Sequence, residues 1–167
     1  LKLDPLNLPL RRLLAETLEG AGRRDEAIEN YIVAARGFAD ARQHNEAFAV
    51  LNRVLMFAPG RLEERELYAK LLVREGRAEE GIDQYLRLLE LLSTDQSADP
   101  SADPRRSIKY CRQILALAPD HPEAHAYLCG VYERMGKLRQ AFKECEWLTQ
   151  FWRARGVLEK AEEFACK

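Results

Sequence analysis

The sequence predicts an all-α protein, a solenoid of about nine antiparallel helices. Apolar residues recur at intervals of three and four along most of the chain, the spacing of one face of a helix. The segments are separated by glycines at 22, 76, 136 and 156 or by Ala-Pro at 58–59 and 118–119. No stretch shows the period-two alternation of a half-buried strand, so an α/β fold is not expected.

The first three predicted helices carry local start and stop signals. The first helix covers 10–19. It is ended by Gly20 and Gly22, because glycine accepts the left-handed conformation of a helix cap. The second, 25–42, opens with two acids, which the positive end of the helix dipole favours. The third, 45–57, stops before Pro59 because proline restricts the residue preceding it.

The same signals recur further along the chain. They predict helices at 62–74, 79–92, 105–118, 123–135 and 138–153, and a last helix after Gly156 that runs into Lys167. Between the fifth and sixth helices the tetrapeptide SADP occurs twice in an apolar-poor segment, 93–104. This segment is longer than most connections in compact domains and is expected to be a flexible loop.

Composition limits the possible classes of function. The chain has 167 residues, a formal net charge of −1, 47% hydrophobic and 32% charged residues. A nucleic-acid partner would need a clustered basic excess, and a membrane span would need an apolar run of about 20 residues, and neither is visible. The four cysteines match no short metal or redox motif, and a disulfide scaffold is not expected in so apolar a chain. We therefore expect a soluble cytoplasmic protein that neither binds nucleic acid nor inserts into a membrane.

An internal repeat organises the chain. A small residue lies early in each helix that follows a glycine corner, at Ala27, Gly81 and Ala141, and these positions are 54 and then 60 residues apart. The matching residues of the next helices are Ala47, Ser107 and Ala161, which are 60 and then 54 residues apart. The longer step in each series spans the segment 93–104, so the predicted period is 54. This predicts one domain, 1–167, of three three-helix units at 6–59, 60–119 and 120–167.

The repeat also extends to both ends of the chain. Pro5 lies one predicted period before Pro59, so the opening LKLDP matches the end of a third helix. The last helix stops about six residues before its own terminating proline is due. The resulting hypothesis is that the chain is a segment of a longer repeat array, and a gene without another helical unit upstream would contradict it.

The repeat positions carry a recognisable pattern. The matching segments are Leu14-Ala15-x2-Leu18 with Ala27-x3-Tyr31, Arg65-x2-Tyr68-Ala69-x2-Leu72 with Gly81-x3-Tyr85, and His125-x2-Leu128-Cys129-x2-Tyr132 with Ala141-x3-Cys145. Together they resemble the tetratricopeptide repeat (TPR) family, whose pattern W-x2-L-G-x2-Y, A-x3-F and P extends over about 34 residues. The resemblance covers nearly the whole chain, although no Trp stands at the pattern's Trp position. Tyr31, Phe38, Tyr85 and Tyr132 are expected in the core.

The resemblance implies a non-enzymatic scaffold that binds a protein or peptide. The family's usual binding groove is lined by first helices, which here would contribute Arg12, Glu16, Glu19, Glu63, Glu66, Lys70, Arg74, Glu123, Tyr127 and Arg134. The Lys and Asn pattern that captures the acidic carboxy-terminus of heat-shock chaperones is absent, which disfavours a chaperone co-factor. A three-helix unit would also place corresponding helices of adjacent units on opposite faces, so a continuous groove cannot be assumed.

Two aromatic residues stand outside the apolar stripe of the eighth helix. At about 100° per residue, Trp147 and Phe151 point away from that stripe by more than a quarter turn. One interpretation is that they pack on the last helix or on a following unit. The other is an exposed aromatic anchor for a partner or a second copy, since Trp is enriched at binding hot spots.

No catalytic or cofactor motif stands out. There is no nucleophile–base pair, phosphate-binding glycine loop or paired-acid signature, so we expect neither an active site nor a cofactor. His121, His125 and Cys129 have a spacing that could gather three metal ligands on one helix face. Against this, His121 precedes a proline and the other two occupy packing positions, so packing is preferred and no metal is expected.

Three hypotheses of function follow. The first is a protein-interaction scaffold with a protein or peptide partner. The second is a self-assembly module whose aromatic patch joins copies of the chain. The third is a regulatory region of a larger enzyme or receptor whose chemistry lies outside these residues.

Overall fold

A computed structural model describes residues 7–94 and 104–165, and within these ranges the chain is all-α, as the sequence predicts. The helices there are α1 (Leu8–Gly20), α2 (Arg24–Asp40), α3 (His44–Phe57), α4 (Leu62–Arg74), α5 (Ala78–Thr94), α6 (Pro104–Leu117), α7 (Pro122–Arg134), α8 (Leu138–Ala154) and α9 (Leu158–Ala165). The same ranges contain no strand, and no helix among them is long and apolar enough to cross a membrane.

Helix lengths recur in groups of three. α1, α4 and α7 have 13 residues each, α2, α5 and α8 have 17, and α3 and α6 have 14. The period of 54 itself stays a prediction. Most of the expected loop 93–104 lies outside the described residues, and α5 continues through Thr94. Pro5 and residues 166–167 also lie outside them.

The chain packs as two compact bodies, 1–84 and 85–167, and the division falls within α5. In the N-terminal body α2 contacts both α1 and α3, and in the C-terminal body α8 contacts both α7 and α9. The four aromatic residues expected in the core are all buried: Tyr31, Phe38, Tyr85 and Tyr132.

Glycine corners close several helices as the sequence predicts. Gly22 has a φ of 77°, and the backbone N–H of the next residue, Arg23, donates to the carbonyl of Leu18 across the end of α1. The corner between α2 and α3 uses the same pattern, with Arg42 at a φ of 57° in place of glycine. No glycine marks that corner in the sequence.

Small residues let paired helices approach closely. A Cβ added to Gly81 in α5 would lie 2.6 Å from Cγ2 of Val73 in α4. Ala27 in α2 and Ala141 in α8 hold the matching positions and are buried. The predicted role of these positions is therefore visible in the packing.

Candidate interaction surfaces

Three side chains from three helices meet in the N-terminal body. The Tyr31 hydroxyl on α2 donates to Glu19 Oε2 on α1 at 2.8 Å, and Arg53 Nε on α3 donates to the same oxygen at 3.0 Å. A second Arg53 nitrogen contacts Glu19 Oε1. We call these residues the Glu19 cluster, and they connect α1, α2 and α3.

The Glu19 cluster shifts the titration of its members. The hydrogen bond from Arg53 holds the pKa of Glu19 below its ordinary value, because it stabilises the charged carboxylate. Burial, and then the hydrogen bond to Glu19, raises the pKa of Tyr31 to about 12. The cluster therefore holds a charged carboxylate beside a neutral phenol at neutral pH.

A cavity of about 360 Å³ opens beside the Glu19 cluster. Its lining includes Arg12 and Glu16, two residues predicted to contact a partner, and they form an ion pair with a 3.4 Å separation one turn apart on α1. Tyr31 and Arg53 also line the cavity, and helix periodicity alone does not predict them as neighbours of this pair. Opposite charges lie close together here, so the cavity has no net preference for one sign of charge.

The predicted residues of α4 form a separate surface of the N-terminal body. Lys70 Nζ lies 2.6 Å from Glu66 Oε1, and the Glu66 side chain is only 16% exposed. Arg74 is exposed at the last turn of the helix. Because Glu66 is engaged by its own helix neighbour, Lys70 and Arg74 are the members of this group that face solvent.

One face of α7 lines two adjoining cavities in the C-terminal body. A cavity of about 310 Å³ is lined by Ser93, Glu123, Ala126, Tyr127, Gly130 and Arg134. A second, of about 230 Å³, shares Glu123 and Ala126 with the first and is otherwise lined by Pro122, Leu148, Trp152, Lys160, Glu163 and Phe164. We call this face, with its two cavities, the α7 groove. It brings together the predicted residues Tyr127 and Arg134.

Tyr127 is half-buried in the α7 groove. Burial raises the pKa of its hydroxyl, with smaller contributions from the nearby carboxylates Glu90 and Glu123. Its ring is thus neutral at physiological pH and offers both an apolar face and a hydrogen-bonding tip. Such a residue suits contact with a partner's side chain.

The two aromatic residues of α8 belong to a stacked series. Trp147 stacks on His125 of α7 with centroids 3.7 Å apart, and Phe151 stacks on Trp147 at 4.9 Å. The Arg155 guanidinium lies 3.6 Å from the Phe151 centroid. Both Trp147 and Phe151 are half-buried, so the series is partly covered by its own helices.

The interpretation of His125 as a packing residue fits its contacts. Nδ1 lies 2.6 Å from Glu144 Oε2, and Nε2 lies 3.1 Å from the Pro119 carbonyl. Both ring nitrogens are therefore engaged, and neither is available to a metal. His121 precedes α7 in an extended conformation, as its position before a proline suggests.

Comparison with known proteins identifies the architecture. The sequence matches no protein-family profile and no curated protein. The nearly identical TPR-like repeats of a predicted kinesin light chain from Podosopora anserina superpose with a TM-score of 0.50 at 17% identity, over 98% of this chain and 93% of that one. The fold is a TPR-like helical repeat. At this identity the likeness extends to the fold alone.

Other solved structures superpose less closely. MamA from Desulfovibrio magneticus has 14% identity and a TM-score of 0.38, over 90% of this chain and 97% of its own. A tetratricopeptide repeat protein from Parabacteroides merdae has 15% identity and a TM-score of 0.35, over 97% and 77%.

The TPR-like packing brings together two cysteines that sequence reasoning did not pair. Cys129 of α7 and Cys145 of α8 form a disulfide, with Cα atoms 6.1 Å apart. Glu133, one turn after Cys129, places Oε1 3.6 Å from its sulfur. The repeat pattern contained the signal, because it puts Cys129 at the small-residue position and Cys145 at the aromatic position that packs against it.

The TPR-like repeat also leaves apolar side chains exposed that the sequence analysis did not single out. Leu138 and Phe142, one turn apart on α8, are 70% and 64% exposed. The predicted repeat spacing aligns Phe142 with Ile28 and Ile82, and both of these are buried. An exposed residue at a normally buried position is the signal that could have found this surface.

Proposed function

We propose that the chain is a non-enzymatic scaffold that binds a peptide segment of a protein partner along the α7 groove. The observation that carries the proposal is that one helix face lines two adjoining cavities, which share Glu123 and Ala126, and presents Tyr127 in the larger of the two. A TPR-like repeat offers such faces as ready-made grooves between packed helices. A cytoplasmic setting, expected from the composition, is part of the proposal.

The groove geometry suggests the chemistry of the peptide. Glu123 and Arg134 stand eleven residues apart on α7, which corresponds to about 16 Å along the helix axis. An extended peptide spans this distance with about five residues. We expect an apolar residue near Ala126 and Tyr127, a basic residue toward Glu123 and an acidic residue toward Arg134.

Selection from a display library of random seven-residue peptides on the full chain tests the proposal. Ala126→Glu places a charge in both cavities. It is expected to weaken binding of the selected peptides at least tenfold, as measured by fluorescence anisotropy. Met56→Glu adds the same charge on α3, where Met56 is 68% exposed, and should leave binding unchanged. Failure to select any binder, or equal binding by both variants, would contradict the proposal.

The same anisotropy assay tests the predicted partner-binding residues that lie outside the α7 groove. Trp147→Ala removes a ring that stacks on His125, and Arg12→Ala removes the ion-pair partner of Glu16. If the α7 groove alone holds the peptide, both variants retain wild-type affinity. A loss with Trp147→Ala would instead place the aromatic series in the binding surface.

Self-association is a second candidate function. The exposed pair Leu138 and Phe142 favours it, because apolar groups exposed together often mark an interface. Light scattering after size-exclusion chromatography tests it at high concentration. A dimer that Phe142→Ser dissolves would support it, and a monomer throughout would exclude it.

A further inference from the structure

Two cysteine sulfurs and a carboxylate converge between α7 and α8. The sulfurs of Cys129 and Cys145 and a carboxylate oxygen of Glu133 all lie within 4.8 Å of one another. In this structure the sulfurs are joined as a disulfide. The donor set of the reduced pair, two thiolates and one carboxylate, is one that divalent zinc accepts.

The spacing of the donor atoms fits a tetrahedral ion. Zinc lies about 2.3 Å from sulfur and about 2.1 Å from a carboxylate oxygen, which sets a sulfur–oxygen separation of about 3.6 Å at the tetrahedral angle. Cys129 Sγ and Glu133 Oε1 are 3.6 Å apart. The two sulfurs would have to separate to about 3.8 Å, which rotation of the cysteine side chains can supply once the disulfide is reduced.

The two sulfurs of the site are buried and its carboxylate lies at the surface. Cys129 and Cys145 are 2% and 3% exposed, whereas Glu133 is exposed. An ion can therefore enter beside Glu133, and a water molecule can complete its coordination from that side. His125, one turn before Cys129, is not a fourth ligand because its ring nitrogens contact Glu144 and the Pro119 carbonyl.

Packing alone does not demand two cysteines here. The repeat spacing aligns Cys129 and Cys145 with Ala15 and Tyr31 in the first unit and with Ala69 and Tyr85 in the second, and all of these are buried. A small residue and a tyrosine thus fill the same space twice in this chain. The position of Glu133 is held by Glu19 in the first unit, whose carboxylate reaches Tyr31 on the second helix. A carboxylate at this position can therefore reach the residue that Cys145 replaces.

We propose that Cys129, Glu133 and Cys145 form a binding site for a thiophilic divalent cation of the zinc class when the cysteines are reduced. Two molecules of a low-molecular-weight thiol together supply the two electrons and two protons that open the disulfide, and they are themselves oxidised to one disulfide. The cation then displaces one proton from each thiol and takes both sulfurs and the carboxylate as ligands. The disulfide state excludes the cation because it removes both thiolates.

Cobalt titration of the full chain tests the site directly. The chain is reduced with a phosphine, freed of metal and titrated with Co²⁺ without oxygen. We expect the near-ultraviolet thiolate-to-metal charge-transfer band and the intense visible bands of tetrahedral Co²⁺, at one ion per chain and displaced by Zn²⁺. The oxidised chain should show neither band.

Variants assign the ligands. Cys129→Ser and Cys145→Ser should each weaken Co²⁺ binding at least a hundredfold, and Glu133→Gln should weaken it at least tenfold while the charge-transfer band persists. Cys111→Ala removes a buried cysteine outside the donor set and should bind Co²⁺ like the wild type. The double variant Cys129→Ala with Cys145→Tyr copies the Ala15–Tyr31 pair, so it should keep the helical circular dichroism spectrum and lose the cation.

Several results would overturn the inference. They are a reduced wild-type chain that binds no Co²⁺ at micromolar concentration, binding without a charge-transfer band, and wild-type affinity in Glu133→Gln or in the Ala–Tyr double variant. None of these readouts depends on a peptide partner. The cation site can therefore fail while the proposed groove stands, and the reverse is also true.

Discussion

The α1–α2 and α7–α8 helix pairs use the same three repeat positions for different contacts. In the first pair Ala15 leaves room for Tyr31, whose hydroxyl donates to Glu19. In the second pair Cys129, Glu133 and Cys145 hold the corresponding positions of the predicted repeat, and a covalent bond replaces the hydrogen bond. The repeat thus constrains the volume between the two helices more strongly than the chemistry that fills it.

The difference also changes what connects the two helices. A tyrosine ring contributes a large buried apolar surface, whereas two sulfurs contribute a cross-link that restricts the unfolded chain. The first contribution depends on packing and the second on redox state. The comparison therefore predicts that the two helix pairs respond to different perturbations.

Truncation of Tyr31 should have the largest effect. Tyr31→Ala removes a ring that is 2% exposed and should lower the free energy of unfolding by about 3–5 kcal/mol, because it creates a cavity among close-packed helices. Urea unfolding followed by circular dichroism measures it. Cys145→Ala under reducing conditions should cost only about 1–2 kcal/mol, since a smaller group is lost. Equal losses would break the comparison.

Reduction of the disulfide should have the next largest effect on stability. Cys129 and Cys145 are 16 residues apart, and closing a loop of this length restricts the unfolded chain by about 3 kcal/mol. Adding a reductant should lower the stability of the wild type by about this amount in metal-free buffer. The variant with both cysteines changed to Ala serves as the control and should not respond. A wild type that is indifferent to reductant would contradict the prediction.

Local signals explain how much of the fold was readable from the sequence. Gly22 and Pro59 act on the backbone beside them, so helix ends at such residues follow from the chain alone. The corner at Arg42 carries no such signal, because a non-glycine residue is held at positive φ by the helices it joins. The division into two compact bodies depends on tertiary packing and could not be read from periodicity.

The candidate sites also differ in how far they can be predicted from the sequence. The pairs Arg12–Glu16 and Glu66–Lys70 are readable, because residues four apart share a helix face. The Glu19 cluster could not be predicted from the sequence, because it joins residues from three helices. The α7 groove was partly predicted through Glu123, Tyr127 and Arg134, while its walls come from neighbouring helices. The disulfide required knowledge that two repeat positions are in contact.

Alkaline pH should distinguish the two helix pairs. The pKa of Tyr31 is raised to about 12 from an ordinary value near 10, so the folded state favours the neutral phenol. Its contribution is complete below pH 10 and is lost as pH rises from 10 to 12, because the unfolded chain ionises first. The shift corresponds to at most about 2–3 kcal/mol, since the cavity beside the hydroxyl admits water that screens the cluster. Urea unfolding at stepped pH measures it, and Tyr31→Phe should lose this component. An identical pH profile in the variant would refute the assignment.

Replacement of the equivalent carboxylates, Glu19 and Glu133, should give the smallest difference in stability between the two helix pairs. Glu19→Gln removes the charge that Arg53 and Tyr31 contact and should cost about 1 kcal/mol at neutral pH. Glu133→Gln should change the stability of the oxidised chain by less than about 0.5 kcal/mol, because the disulfide leaves no thiol proton to donate.

Acid pH checks the origin of that difference. The pKa of Glu19 is lowered by Arg53, so its contribution is present above the unfolded-state pKa and is lost as pH falls through the folded-state pKa. The stability gap between wild type and Glu19→Gln should therefore narrow at acid pH. A gap that does not depend on pH would mean that Glu19 acts through packing, and its likeness to Glu133 would then be closer than the contacts indicate.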